Sequence, residues 1–251
     1  MEIIATTKSK GFGDMTDHSH CNQENPAIGI LMLETTFPRI PGDIGNPKTF
    51  SFPIIYKTVS GASPKKVVID ADTRLIEEFI DAGHALVAQG VKAIATSCGF
   101  LALFHRHLVE ALSVPVYTSS LLQVHLAGAV IRRDQKVGII TARHQSLTEA
   151  HFAGVGIQDY PLAVVGMEDA EEFSAVFIGG KRKLNEAKCR REMQSTTLKL
   201  VNAHPEVGAI VLECTNMPPY ADAIRQATGL PVFDVVTMVN YVYGALAINF
   251  H

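Results

Sequence analysis

The second half of this chain repeats the first. Val91-Lys-Ala-Ile-Ala-Thr-Ser-Cys98 is matched by Val207-Gly-Ala-Ile-Val-Leu-Glu-Cys214 at an offset of 116 residues. The same offset carries Ala111 to Ala227, Pro115-Val116 to Pro231-Val232 and Gly128-Ala129 to Gly244-Ala245 without a gap. Upstream, Ile28-Gly29-Ile30 meets Val137-Gly138-Ile139 at 109, and Pro53-Ile-Ile-Tyr meets Pro161-Leu-Ala-Val at 108. Changes of offset between strands are what variable loops produce. The period is far longer than that of a solenoid repeat. It implies a duplicated domain, in which any chemistry placed on one half has a counterpart on the other.

Each half reads strand, strand, helix, strand, cysteine, helix, strand, helix. The expected strands are Ile28–Leu33, Pro53–Ser60, Val91–Thr96, Val114–Tyr117, then Lys136–Thr141, Leu162–Val165, Val207–Leu212 and Leu230–Phe233. Between them, Asp72–Gln89 places Leu75, Ile76, Phe79, Ile80, Leu86 and Val87 at helical spacing and stops at Gly90. Strands alternating with helices predict parallel sheets of βαβ units. The expected fold is therefore α/β: two pseudo-symmetric parallel-sheet domains, 27–121 and 122–235, with the active site in the cleft between them. A C-terminal helix, 236–251, is available to pack on the first domain, and residues 1–26 read as a polar, flexible tail. Hydrophobic residues make up 47% of the chain, enough for strands buried on both faces.

A net charge of −3 gives no reason to expect nucleic acid or an anionic membrane as partner. No apolar run reaches the roughly 18–20 residues that span a bilayer. The polar opening segment lacks a signal peptide's apolar core, so a cytoplasmic protein with reduced thiols is expected. Four cysteines, at 21, 98, 189 and 214, are too few and scattered for a disulfide scaffold.

Cys98 and Cys214 each follow a strand and precede a helix. In parallel sheets, ligands bind beyond the carboxyl ends of strands. A helix N-terminus favours a thiolate, and its free amides can hold a carboxylate. For Cys214, Thr215 or Asn216 is the expected cap, with Pro218-Pro219 in the first turn. One thiolate and one thiol facing a single carbon make a base and an acid, the arrangement for taking a proton from one face and returning one to the other. Glu213 tends to raise the Cys214 pKa, while Thr215 and the amides oppose it. The plainer reading makes both cysteines small buried residues at strand ends.

Ala95-Thr-Ser-Cys98-Gly-Phe and Leu212-Glu-Cys214-Thr-Asn216 resemble the aspartate/glutamate/hydantoin racemase superfamily, over about residues 27–251. The resemblance implies cofactor-independent isomerisation at a carbon next to a carboxylate or carbonyl, with one catalytic cysteine from each domain, Cys98 and Cys214. It also implies a small-acid substrate held by Thr215. Racemases of this group often carry Asn-Thr after the first cysteine, where this chain has Gly99-Phe100. Glutamate racemases carry His where this chain has Asn216, and Asp-Ser after the first strand where it has Glu34-Thr35-Thr36. The same fold supports maleate isomerases and arylmalonate decarboxylases, and a non-catalytic small-acid binder is the alternative outside enzymes.

The remaining candidate substrate contacts are Ser97, Gly99 and Phe100 beside the first thiol and Asn216 beside the second. Thr35, Thr36 and Arg39 follow the first strand, and Thr141 ends its counterpart in the second half. Arg39 has the fork geometry for a carboxylate, and Arg143 is expected at the surface. No metal or other cofactor is expected: His18, His20 and Cys21 lack a second ligand cluster, His105 and His107 point to different helix faces, and Gly179-Gly180-Lys181 lacks phosphate-loop spacing. Lys181, Arg182, Lys183, Lys188, Arg190 and Arg191 read as a solvated helical face with Cys189 incidental on it. A homo-oligomer is expected.

Overall fold

Ile28, Ile30 and Met32 point to one face of the first strand, and Leu31 and Leu33 to the other; apolar groups stand on both sides. That is the signature of a strand inside a layered α/β unit. The structure is a computed structural model that describes residues 27–246. The expected tail, with its His18, His20 and Cys21, and residues 247–251 of the helix expected over 236–251 lie outside the described residues.

The first half contains β1 (Ile28–Met32), β2 (Ile54–Thr58), α1 (Ile76–Ala88), β3 (Ala93–Thr96), α2 (His105–Ala111), β4 (Val116–Tyr117) and α3 (Val124–Val130). The second contains β5 (Lys136–Thr141), α4 (Glu149–Val155), β6 (Leu162–Gly166), α5 (Glu171–Phe173), α6 (Glu186–Ala203), β7 (Val207–Leu212), α7 (Ala221–Thr228), β8 (Val232–Phe233) and α8 (Val235–Leu246). Two four-stranded sheets result, ordered β2-β1-β3-β4 and β6-β5-β7-β8, with every pair parallel. Ile28 pairs with Ile54 and Ala93; Val137 pairs with Leu162 and Ala209. The duplication read from the sequence is thus a duplication of topology.

The sequence pattern does not show α4, α5 or the single π-helical turns at Lys65–Ile69 and Ser174–Ile178, which stand 109 residues apart, the offset of β1 and β5. Each turn follows the edge strand of its own sheet, and each leans over the space between the halves.

One apolar core runs through both halves. A second lies on the other face of the first sheet, where Val235, Met238, Val239 and Val242 of α8 cover Ile28, Ile30, Ala93 and Ala95. The last helix therefore packs on the first half of the chain. Polar bonds cross the junction as well: Ser120 Oγ donates to the Leu212 carbonyl (2.5 Å) and Gln123 Nε2 to that of Asp234 (2.7 Å). α6 corrects one expectation. Cys189 is wholly buried beneath it, against Tyr220, and burial pushes its thiol up to about 12. Lys181 and Lys188 pair with Glu172 and Glu171 instead of standing free.

Candidate active site

In both sheets the chain moves from the central strand to one side and then returns to the other, so the order reverses between β1 and β3 and between β5 and β7. A crevice opens beyond the carboxyl ends of strands at such a reversal. The two crevices face each other and enclose one cavity of ≈ 20 Å³. By volume, that is room for a water molecule. Cys98 and Cys214 both line it, as do Thr35, Ser97, Gly99, Phe100, Thr215 and Asn216. Phe37 and Phe177, one from each half, meet over it edge to face with ring centroids 5.1 Å apart. The two π-helical turns contribute Val68 and Phe177 to the wall.

Local bonding fixes the first thiol. Leu33 N–H donates to Ser97 Oγ (2.9 Å), tying the ends of β1 and β3 together. Thr96 Oγ1 donates to the carbonyls of Cys98 (3.0 Å) and Thr118 (2.5 Å). Cys98 is extended and forms the N-cap of the tight helical turn Gly99–Phe104. The amides of Phe100 and Leu101 face its sulfur and favour the thiolate, as does the more distant Arg39 charge. Burial and the neighbouring Glu213 outweigh them, so the Cys98 thiol is held well above its ordinary value.

Cys214 is only partly buried and sits among different groups. Its Sγ donates to Asn216 Oδ1 (3.5 Å), while the Asn216 amide alone faces it from the backbone. Burial raises its pKa first; Glu213, Cys98 and Asp43 add to that. The influence of Glu213 read from the sequence is therefore present, and it acts on both thiols. Thr215 Oγ1 donates across the junction to the Ser97 carbonyl (2.6 Å). Neither Thr215 nor Asn216 caps the following helix, which starts from Met217 without a side-chain cap and carries prolines in its first turn.

Three of the expected contacts do not reach the cavity wall. Arg39 is spent on neighbours: Nη1 on Asp43 Oδ1 (2.7 Å) and Nη2 on Thr35 Oγ1 (3.2 Å). Asp43 in turn accepts from Asn216 Nδ2 (2.6 Å), so Arg39 positions Asn216 at one remove. Thr36 turns away and donates to the Gly180 carbonyl (3.0 Å). Thr141 is buried and donates to Glu213 Oε2 (2.8 Å). Arg143 is half-buried rather than at the open surface.

Glu213 was legible only as a neighbouring charge. It follows the apolar run Val207–Leu212, is fully buried, and lines the cavity with both cysteines. Burial pushes its carboxyl up to about 7, against the Thr141 hydroxyl and the Ala142 amide, which favour the ionised form. The sequence signal was a carboxylate closing an otherwise apolar strand. Phe37, Phe177, Val68 and Ala142 also line the cavity and were not read as site residues.

Comparison with known proteins agrees with this architecture. The model of the Asp/Glu/hydantoin racemase family matches residues 121–239. A protein named dimethylsulfoniopropionate lyase from Durusdinium sp. clade D is 30% identical over 232 residues, covering 88% of this chain and 75% of that protein. Dimethylsulfoniopropionate lyase 3 from Emiliania huxleyi (strain CCMP1516) is 31% identical over 236 residues, which is 90% of this chain and 61% of that longer protein. Among solved structures, allantoin racemase from Klebsiella pneumoniae has a TM-score of 0.57 at 15% identity, covering 90% of each chain. Unliganded arylmalonate decarboxylase has 0.57 at 16% identity, over 90% of this chain and 94% of that one; these are likenesses of fold. No helix among the described residues is long and apolar enough to cross a membrane.

Proposed function

The chain belongs to the aspartate/glutamate/hydantoin racemase superfamily, and from that premise we propose that it is a lyase acting next to a carboxylate. The proposed reaction removes a proton from the carbon beside the carboxylate and expels a group from the next carbon. The proposed substrate is dimethylsulfoniopropionate. The observation that carries this reading is the 30–31% identity, over 88–90% of this chain, to proteins named for that activity.

The site suits the chemistry. Cys98 is the proposed base, because two amides and the Arg39 charge favour its thiolate, whereas Cys214 has one amide, donates to Asn216, and feels Asp43. The thiolate takes the proton from Cα. That C–H electron pair becomes the Cα=Cβ double bond, the Cβ–S bond breaks, and sulfur leaves with its pair as neutral dimethyl sulfide. Acrylate remains. The departing sulfide needs no proton, so donors are needed at the carboxylate end, where charge builds as Cα–H breaks. Cys214, as thiol, stands there in this reading. Phe37, Phe100 and Phe177 offer apolar walls to the S-methyl groups and ring faces to the positive sulfur. A cavity of ≈ 20 Å³ must open to admit such a molecule and close again to exclude water.

The test is incubation of the purified protein with dimethylsulfoniopropionate, following dimethyl sulfide by gas chromatography and acrylate by liquid chromatography. Equimolar release of both is expected; neither product above the buffer blank would overturn the reading. One observation favours a second: the thiols occupy equivalent positions of the duplication, which suits a two-base racemase or epimerase. Incubating a panel of amino acids, hydantoins and hydroxy acids in deuterated water would then show exchange at the α-carbon.

A further inference from the structure

Glu213 Oε1 is enclosed and has no hydrogen-bond partner, although a carboxylate oxygen in that position is among the costliest groups to leave unpaired. The other oxygen, Oε2, accepts from Thr141. The residue cannot swing away: Ser120 Oγ reaches the backbone carbonyls of Leu212 and Glu213, and Gly99 packs so closely that a methyl group in its place would strike the carboxyl. Glu213 and Gly99 both line the thiol-lined cavity, so the unpartnered Oε1, packed against Gly99, stands beside whatever enters when the cavity opens.

We propose that Glu213 works as a neutral carboxylic acid, whose Oε1–H donates a hydrogen bond to the carboxylate of the bound substrate. The proposal takes Thr141 as the donor in its contact with Oε2, which leaves the proton to Oε1. The neutral form removes the buried charge, leaves Oε1 with a donor to offer, and supplies that donor where charge accumulates when the Cα proton departs. The ionised form does the reverse. It repels the incoming carboxylate and opposes the thiolates of Cys98 and Cys214. Glu213 thereby makes the site selective for anions only while it holds its proton.

The groups that face Glu213 make the titration readable. From β5 it meets Thr141, from the turn after β3 Gly99, and from the turn at 120–123 Ser120, all uncharged. The two thiols are its titratable neighbours in the cavity. Asp43 and Arg39 stand beyond Asn216 and are paired with each other. A carboxyl held at about 7 changes state in an accessible range, and the thiols, being higher, remain protonated through it. The three acids are coupled, so the measured midpoint belongs to the set.

The proposal deepens the lyase reading by naming how its carboxylate is held, and its test uses no substrate. Cys98 is alkylated in the purified protein with iodoacetate and, separately, with iodoacetamide, and the modified peptide is quantified over pH 5.5–9. Both reagents react with the same thiolate, so thiolate content cancels in the ratio of the two rates. Only the carboxylate of iodoacetate feels Glu213. The ratio is expected to fall about tenfold or more as pH rises through about 7. In Glu213→Gln the amide keeps a donor and never ionises, so the ratio is expected to stay high and flat. Thr141→Val removes the hydroxyl that favours the ionised form, and is expected to shift the fall upward by about one pH unit. A ratio independent of pH in the wild-type protein would overturn the proposal, and so would an unchanged fall in Glu213→Gln. Release of dimethyl sulfide is a separate measurement, so either reading can fail alone.

Discussion

Gly99 and Glu213 come from opposite halves of the duplication and touch: the space where a side chain on Gly99 would begin is filled by the Glu213 carboxyl and carbonyl. The first thiol's turn and the second thiol's strand are thereby locked to each other one residue from each cysteine. Gly99 has an ordinary backbone conformation, since it is not among the positive-φ glycines. Its requirement is for space.

Gly99→Ala is therefore expected to force the two halves apart at the cavity. Overpacking of this kind costs about 1–3 kcal/mol. Chemical denaturation should show a lowered midpoint, and any lyase activity should fall by more than the stability loss accounts for, because Cys98 and Glu213 are displaced together. An alanine variant with wild-type stability would show that the junction is looser than this packing implies.

The buried carboxyl also sets a direction for stability against pH. Its pKa is about 7 in the folded protein and near the ordinary 4.5 when unfolded. Between those values the folded state binds the extra proton, so stability falls as pH rises. The contribution is fully present below about 4.5 and lost by the time pH has passed 7. The shift corresponds to roughly 3 kcal/mol of pH-dependent stability at most. Glu213→Gln should remove that slope, leaving the variant more stable than wild type at pH 8 and less favoured at pH 5. Urea titrations at the two pH values measure it; parallel curves for both proteins would argue against a proton held on Glu213.

The Phe37–Phe177 contact closes the cavity from both halves. An aromatic pair contributes about 0.5–1.5 kcal/mol beyond its buried area. Phe177→Ala should shift the closed state toward an open one, raising the rate of Cys98 alkylation by iodoacetamide about two- to tenfold. An unchanged rate would place the route to the thiol elsewhere.

Much of this was readable before the structure, and the reasons are specific. The duplication survives in sequence because β1 and β5, and β3 and β7, are buried central strands whose apolar runs tolerate little change. Cys98 and Cys214 were placed by those strands. The π-helical turns were not, because Lys65-Lys-Val-Val-Ile69 has no helical periodicity and too few residues to show one; its shape comes from packing over the cavity. Arg39 was read toward the ligand because its true partner, Asp43, lies four residues on in an irregular loop, where spacing predicts no pairing. Glu213 was visible as a charge closing an apolar run, but what its two oxygens meet, Gly99 from the opposite half and Thr141 from the neighbouring strand β5 of its own half, is supplied by the tertiary fold. The departures at Gly99-Phe100 and Asn216 pointed away from a glutamate racemase; β-elimination cannot be read from them, since it reuses the same α-proton removal.

The two thiols provide the sharpest division between the lyase and the racemase readings. Elimination needs one base, and the proposed reading gives that role to Cys98, whose sulfur two amides face. Cys98→Ser is then expected to lower dimethyl sulfide release by about 10³-fold, within the range general base catalysis supplies. Cys214→Ser keeps a hydroxyl that can still donate, and a loss of about tenfold is expected. A two-base racemase behaves otherwise: each substitution abolishes racemisation, and each impairs α-deuterium exchange on the opposite enantiomer. Measuring both variants with dimethylsulfoniopropionate and with each enantiomer of any racemised acid in deuterated water separates the cases. Equal, complete loss in both variants, with exchange surviving on mirror-image substrates, would replace elimination by the two-base reaction. Full activity in Cys98→Ser would remove Cys98 from the chemistry under either reading.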